Sequence, residues 1–264
     1  MKKLFFFDID GTLIECEKGV YEIQEEVWKL LDQLKAQGDD VFLATGRCKC
    51  FIPETVMKYP FSGYVTCNGA YVEYKNQEIY KSVVPYDAFS KVTEFCKKRN
   101  LTYYFENSDY ICVINRHNPK HTEFRDKWGM KDEILIDKFE LNEVETYIGM
   151  IVANSEEDIP YIREELSPYF DVQQHNNGLS FDLTLKGESK AKGIKELAKA
   201  LNVPVEDTIA FGDGRNDVEM LSEVGLGIAM GNGAQEAKDA AKFVTKDIGD
   251  HGILYAIEYY SLLR

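Results

Sequence analysis

The sequence lacks an excess of positive charge. It has 31 lysine and arginine residues against 45 aspartate and glutamate residues, which gives a formal net charge of −14. Nucleic-acid binding depends on a basic surface, so this balance argues against a nucleic-acid partner. It also means that a site for an anionic substrate must supply its own local positive field. The four histidines show no metal-ligand spacing.

Long apolar runs are also missing, and none approaches the ~18 residues of a membrane span. The run after Met1-Lys2-Lys3 is too short for the core of a signal peptide. We therefore expect a cytoplasmic protein whose cysteines stay reduced. Cys48 and Cys50 have neither a zinc-site nor a thioredoxin spacing, so packing is their expected role. The 264 residues suffice for one large or two modest domains.

The stretch from Leu4 to Leu13 predicts the first part of a functional site. It begins with consecutive apolar residues, Leu4–Phe7, which are typical of a buried strand. Asp8 and Asp10 follow, and Gly11-Thr12 is typical of a turn. In open α/β sheets this edge is where ligands bind. An EF-hand loop is excluded because its glycine stands at the sixth position, whereas Gly11 is the fourth residue counted from Asp8. The metal-binding carboxylate pair of a sugar transferase stays open on this stretch alone.

Predicted helices alternate with predicted buried strands at both ends of the chain. Apolar residues from Val20 to Leu34 predict a helix, and residues 41–44 predict a second buried strand that ends at Thr45-Gly46-Arg47. Such a βαβ unit forms a parallel sheet. The same alternation resumes at Ser189 and includes a strand that ends at Gly212.

A different mixture of helices and strands lies between these two parts. Its last predicted hairpin turns at Asn176-Asn177-Gly178. We therefore predict an α/β fold with a Rossmann-like parallel-sheet core, residues 1–83 and 185–264. A smaller α/β cap domain, residues 84–184, is inserted into it.

Polar residues follow three of the predicted core strands. They are Asp8 with Asp10, Thr45-Gly46-Arg47 and the run from Asp213 to Asp217, and Lys190 starts the returning helix. Because the carboxyl ends of parallel strands meet, we expect these residues to converge. Carboxylates suit Mg²⁺, whereas a lysine and a hydroxyl suit phosphate oxygens. The combination predicts an anionic substrate bridged to a metal.

In these segments the chain resembles haloacid dehalogenase (HAD) superfamily phosphatases of the Cof type, which have a large α/β cap. D-I-D-G-T-L at 8–13 is similar to the first family motif, and Thr45-Gly46-Arg47 to the second. Lys190 is similar to the third, G-D-G-R-N-D at 212–217 to the fourth, and G-I-A-M-G-N at 227–232 matches this subgroup. Gly233 departs from the subgroup, which usually continues with alanine, and we expect this to affect only a loop.

The resemblance implies an Mg²⁺-dependent phosphatase and a role for each motif residue. Asp8 would be the nucleophile that forms an aspartyl-phosphate, and Asp10 would protonate the leaving oxygen and then deprotonate the attacking water. Mg²⁺ would be bound by Asp8, the Asp10 backbone carbonyl and Asp213. Catalytic Lys190 would hold phosphate oxygens. The other expected phosphate or substrate contacts are Ile9, Thr45, Gly46, Arg47, Asn68, Asn216 and Asp182.

Three residues keep open interpretations. Arg47 either contacts substrate or pairs with a structural carboxylate. Asp217 is either a direct ligand or a carboxylate that supports the ligands or caps a helix. His175 is a candidate to face the site together with Asp182, because the insertion begins and ends near the motif-bearing strand ends and is expected to form a lid.

The expected partners are small phosphorylated metabolites, with sugar phosphates favoured by analogy to the subgroup. No nucleic acid, membrane or obligate protein partner is implied. Two alternatives stay open: a phosphomutase or phosphotransferase with the same site, and a non-enzymatic phosphate-sensing module on the same fold.

Overall fold

The computed structural model describes residues 2–175 and 178–264. They form two compact units, described separately below. The first unit consists of Met1–Arg47, Ile52–Tyr80 and Ser189–Arg264, and the second of Cys48–Phe51 and Lys81–Glu188.

The strands and α-helices have the following bounds. In order, the strands are β1 (Leu4–Phe7), β2 (Asp40–Ala44), β3 (Gly63–Thr66), β4 (Tyr71–Tyr74), β5 (Gln77–Lys81), β6 (Thr102–Glu106), β7 (Ile111–Ile114), β8 (Leu135–Ile136), β9 (Ile148–Val152), β10 (Phe170–Gln174), β11 (Ser180–Leu185), β12 (Thr208–Gly212), β13 (Leu226–Ala229) and β14 (Phe243–Val244). The helices are α1 (Glu25–Ala36), α2 (Glu54–Met57), α3 (Tyr86–Arg99), α4 (Pro119–Trp128), α5 (Ile159–Leu166), α6 (Lys190–Ala200), α7 (Val218–Glu223), α8 (Gln235–Ala240) and α9 (Gly252–Tyr259).

The first unit is built on an eight-stranded sheet in the order β14-β13-β12-β1-β2-β3-β4-β5. β1 pairs in parallel with both β2 and β12, and the parallel pairing continues to β3 on one side and to β13 and β14 on the other. β4 pairs antiparallel with β3. The C-terminal ends of β1, β2, β12 and β13 therefore share one edge of the sheet. The predicted α/β class is confirmed.

Strand β1 is apolar throughout because the sheet has helices on both faces. Successive side chains of a strand point to opposite faces. Phe5 and Phe7 pack in the cluster that contains α1 and α9, whereas Leu4 and Phe6 pack in the cluster that contains α6 and α7. All four side chains are fully buried. Burying one phenylalanine contributes roughly 1.5–3 kcal/mol, so this strand anchors both layers of the unit.

The first helix begins later than the periodicity predicts. Val20 and Ile23 lie before α1, which starts at Glu25. Gly19 is left-handed (φ 76°) and turns the chain back, so that the amides of Glu15 and Val20 each donate to the other's carbonyl oxygen, at 2.7 and 3.0 Å. Ile23 is still buried in the core. The apolar spacing at Val20 and Ile23 therefore reflects contact with the core and not a helix.

The second unit has its own six-stranded sheet, in the order β10-β11-β9-β6-β7-β8, and its own apolar core. β10 and β11 pair antiparallel, as the hairpin prediction requires. Its predicted turn residues Asn176 and Asn177 lie outside the described residues. Across residues 2–175 and 178–264, no helix has both the length and the apolar character of a membrane span.

Candidate active site

Lys190 is a buried lysine at the start of α6. Ser189 caps this helix, since its hydroxyl accepts the Lys192 amide at 3.2 Å. Gly69 (φ 91°) lies against the cap, and a Cβ there would lie only 1.9 Å from the Ser189 carbonyl oxygen. The Lys190 side chain is 0% exposed, and its Nζ donates to Asp8 Oδ1 at 2.8 Å and to Asp217 Oδ1 at 2.7 Å. The lysine thus connects the end of β1 with the turn that follows β12.

Asp217 supports this cluster with both of its carboxylate oxygens. While Oδ1 accepts from Lys190, Oδ2 accepts the backbone amides of Asp213 at 2.9 Å and Gly214 at 2.8 Å. The side chain is fully buried. Asp217 therefore holds the turn that carries Asp213, which agrees with a supporting role.

Asp8, Asp213 and Asp217 each offer a carboxylate oxygen, and these oxygens lie within 4.8 Å of one another. Burial raises the pKa of Asp8 to about 7, although Lys190 acts to lower it. Burial and the charge of Asp8 raise the pKa of Asp213 to about 8. Burial alone would lower the pKa of Lys190, but Asp217 and Asp8 outweigh it and raise that pKa. One lysine thus faces three carboxylates.

This imbalance of charge fits a divalent cation. Buried like charges raise carboxyl pKa values until a cation compensates them, and oxygen donors suit hard cations. Since both oxygens of Asp217 are already hydrogen-bonded, Asp8 and Asp213 are the better candidate ligands. The residues present therefore fit a divalent metal.

The loop after β1 lies directly against Asp213. Gly11 is left-handed (φ 84°), and a Cβ there would lie 2.1 Å from Asp213 Oδ2. The hydroxyl of Thr12, which is fully buried, donates to Asp213 Oδ1 at 3.0 Å. Only glycine permits both the conformation and the close approach.

The loop also presents Asp10 at the surface, paired with Arg47. The Ile9 carbonyl accepts the amides of Leu13 at 2.9 Å and Ile14 at 3.0 Å, which turns the chain tightly. Arg47 Nε donates to Asp10 Oδ2 at 2.7 Å and Nη2 to Oδ1 at 2.9 Å. This bidentate pair is the strong form of charge-assisted hydrogen bonding. The structure thus brings Arg47 to a candidate catalytic carboxylate.

The remaining core candidates lie after β2, β3 and β12. Thr45 is buried, and its hydroxyl accepts the Arg47 amide at 3.2 Å. Asn68 is left-handed (φ 50°), and its side-chain oxygen accepts from Asn216 Nδ2 at 3.3 Å. A Cβ on Gly46 would lie 3.0 Å from that same oxygen. These five residues form one hydrogen-bonded and packed group.

Asp182 and His175 belong to the second unit. Asp182 lies on β11, and its Oδ1 is 2.9 Å from His175 Nε2. His175 Nδ1 is 2.7 Å from the Ser180 hydroxyl. The structure therefore brings these two candidates together with each other.

Sequence reasoning assigned no role to Thr12 or to Asn232. Both lie inside the quoted motifs, at 8–13 and 227–232, so a signal was present. The motifs do not show the partner of either side chain. Thr12 bonds to Asp213 and Asn232 to Gly11, and each partner is far away in sequence.

The parallel strands of this sheet, with carboxylates, a buried lysine and a buried threonine at their C-terminal edge, form a site that suits phosphoryl transfer. The chain belongs to the haloacid dehalogenase-like hydrolase family, whose model matches residues 5–257. The predicted family resemblance is confirmed.

Individual relatives cover nearly the whole chain. The YkrA protein of Bacillus subtilis is 32% identical over 266 residues, which are 99% of both chains. The 5-amino-6-(5-phospho-D-ribitylamino)uracil phosphatase YitU of the same organism is 28% identical over 98% of both chains. Among solved structures, the HAD subclass IIB sugar phosphatase BT4131 is 30% identical with a TM-score of 0.85, and the match covers 98% of this chain and 99% of that chain.

Proposed function

We propose that this protein is an Mg²⁺-dependent phosphatase that hydrolyses phosphate monoesters of small metabolites through an aspartyl-phosphate. The observation that carries the proposal is the buried Lys190, which binds both Asp8 and Asp217 beside Asp213. Mg²⁺, held by Asp8, Asp213 and the Asp10 carbonyl, would supply positive charge next to the substrate phosphate.

Asp8 is the nucleophile in this proposal. One of its carboxylate oxygens bonds to phosphorus while the bond from phosphorus to the leaving oxygen breaks. Because an anionic carboxylate and an anionic phosphate repel each other, the Nζ charge of Lys190, 2.8 Å from Asp8 Oδ1, favours the approach. Thr45, Gly46, Asn216 and the Ile9 amide are the proposed donors to the phosphate oxygens.

Asp10 is the proposed acid and base. It gives a proton to the leaving oxygen and later takes one from the water that attacks the aspartyl-phosphate. In the structure both of its oxygens accept hydrogen bonds from Arg47. Each carboxylate oxygen has a second lone pair at which a proton can be exchanged, so this pairing is compatible with the proposed role. Arg47 is proposed to contact the substrate from beside Asp10.

The proposed substrates carry the phosphate on a hydroxylated carbon chain. BT4131 is named a sugar phosphatase, and the substrate in the name of YitU carries its phosphate on a ribityl chain. We propose that the second unit determines substrate preference and that Asp182, bonded to His175, contributes to it. Asn68 is proposed to contact substrate from the core.

A phosphate-release screen tests this function. With Mg²⁺, we expect turnover of sugar phosphates and ribityl-type phosphates, loss of turnover in excess chelator and recovery on adding Mg²⁺. Asp182→Asn should change the ranking of substrates while p-nitrophenyl phosphate is still hydrolysed. No release from any ester would contradict the proposal, and phosphate transfer to a sugar hydroxyl instead of water would indicate a phosphotransferase.

Replacing Asp10 with asparagine should slow hydrolysis by about 10² to 10⁴-fold for alkyl phosphates, because the proton shuttle is lost. The backbone carbonyl at position 10 remains. The defect should be smaller for p-nitrophenyl phosphate, whose leaving group needs no proton. We would compare kcat for the two ester classes in wild type and variant, and equal losses on both would contradict the acid role of Asp10.

A further inference from the structure

Asn232, in the loop that follows β13, connects two distant segments of the first unit. Its Nδ2 donates to the Gly11 carbonyl at 2.7 Å, and its Oδ1 accepts the Ile248 amide at 3.0 Å. The two ends of one side-chain amide thus hold the loop after β1 against the segment after β14. The position requires a donor on one side and an acceptor on the other.

The carbonyl that Asn232 holds belongs to the residue lying against Asp213. The backbone of Gly11 approaches so closely that a Cβ would lie 2.1 Å from Asp213 Oδ2. The neighbouring Thr12 donates to Asp213 Oδ1 at 3.0 Å. A shift of the Gly11 carbonyl would therefore move two groups that touch this carboxylate.

The same loop holds the backbone of Asp213. The Ala234 amide donates to the Asp213 carbonyl at 2.8 Å. At Gly233, the departure from the subgroup pattern, a Cβ would lie 2.9 Å from that carbonyl oxygen. The loop after β13 therefore contacts the backbone of Asp213. Its Asn232 also holds the loop after β1, which contacts the Asp213 carboxylate.

We propose that Asn232 is a positioning residue for the metal site. It sets the separation between the loop after β1 and Asp213, and so the arrangement of the groups that would hold the cation. The proposal rests on the proposed function. An amide is needed because a carboxylate at this position could only accept, and a methyl group could do neither.

Mg²⁺ affinity in the absence of substrate tests the proposal. For Asn232→Ala and Asn232→Asp we expect Mg²⁺ dissociation constants about 10–100-fold weaker than wild type, measured by isothermal titration calorimetry. The aspartate variant is decisive. An added negative charge near a cation would by itself strengthen binding, whereas a lost donor to Gly11 weakens it. Asn232→Gln keeps both hydrogen-bonding functions and should lose less.

The matched control is Asn202→Asp, which adds the same charge at an exposed position of the same unit and should bind Mg²⁺ like wild type. Melting temperatures identify the folded variants. The proposal is overturned if Asn232→Asp binds Mg²⁺ as tightly as wild type, or if Asn232→Ala lowers only the melting temperature. A wild type that neither binds Mg²⁺ nor releases phosphate overturns the proposed function itself, and this proposal with it.

Discussion

Replacing Asp8 with asparagine is expected to abolish phosphate release while the protein stays folded. Removing a catalytic nucleophile costs on the order of 10⁶-fold in kcat, and an amide oxygen is a far weaker nucleophile than a carboxylate. Asparagine has nearly the same shape, so the end of β1 should keep its packing. Single-turnover phosphate release, measured at high enzyme concentration, would quantify the loss.

The stability of this variant provides a second check. Because burial raises the pKa of Asp8 to about 7, its charge is costly in the folded protein, and the neutral amide removes that cost. We expect a melting temperature equal to or above that of wild type. Asp171→Asn, at an exposed position on β10, is the matched control and should keep full activity. Wild-type phosphate release from folded Asp8→Asn protein would refute the nucleophile assignment.

Replacing Lys190 with methionine should lower the free energy of unfolding by about 3–5 kcal/mol at neutral pH, the range found when one partner of a buried ion pair is removed. Methionine fills similar space without charge. Asp8 and Asp217 would then lose their shared donor, which lies 2.8 and 2.7 Å from them. Urea unfolding of the metal-free protein measures the loss.

The loss should also depend on pH in a defined direction. Lys190 lowers the pKa of Asp8, so its removal raises that folded-state pKa further above the unfolded value of about 3.9. The folded state then binds more protons than the unfolded state over a wider pH range. The free energy of unfolding therefore falls as the pH rises through that range. We expect a larger loss at about pH 8 than at about pH 5.5. Lys199→Met, whose side chain is 81% exposed, is the control on the same helix. An equal loss at both pH values would contradict this account.

Local features of the sequence were enough to predict the core and the edge at which its polar residues meet. The apolar run Leu4–Phe7 reports burial on both faces of a sheet, and a turn must follow where Asp8, Asp10 and Gly11 break it. Parallel strands joined by helices bring their carboxyl ends together whatever the details of the loops. Burial and turn chemistry are properties of a few neighbouring residues, so they can be read from spacing.

Tertiary structure alone decided which side chains are partners. Lys190 lies 182 positions from Asp8, Thr12 lies 201 from Asp213, and Asn232 lies 221 from Gly11. A hydrogen bond depends on the direction of each side chain and on how each loop closes, and residue spacing encodes neither. For the same reason spacing left two interpretations of Asp217 open, whereas the structure shows its oxygens on Lys190 and two backbone amides. The sequence therefore determined the kind of site, and the folded loops determined which residues hold it in shape.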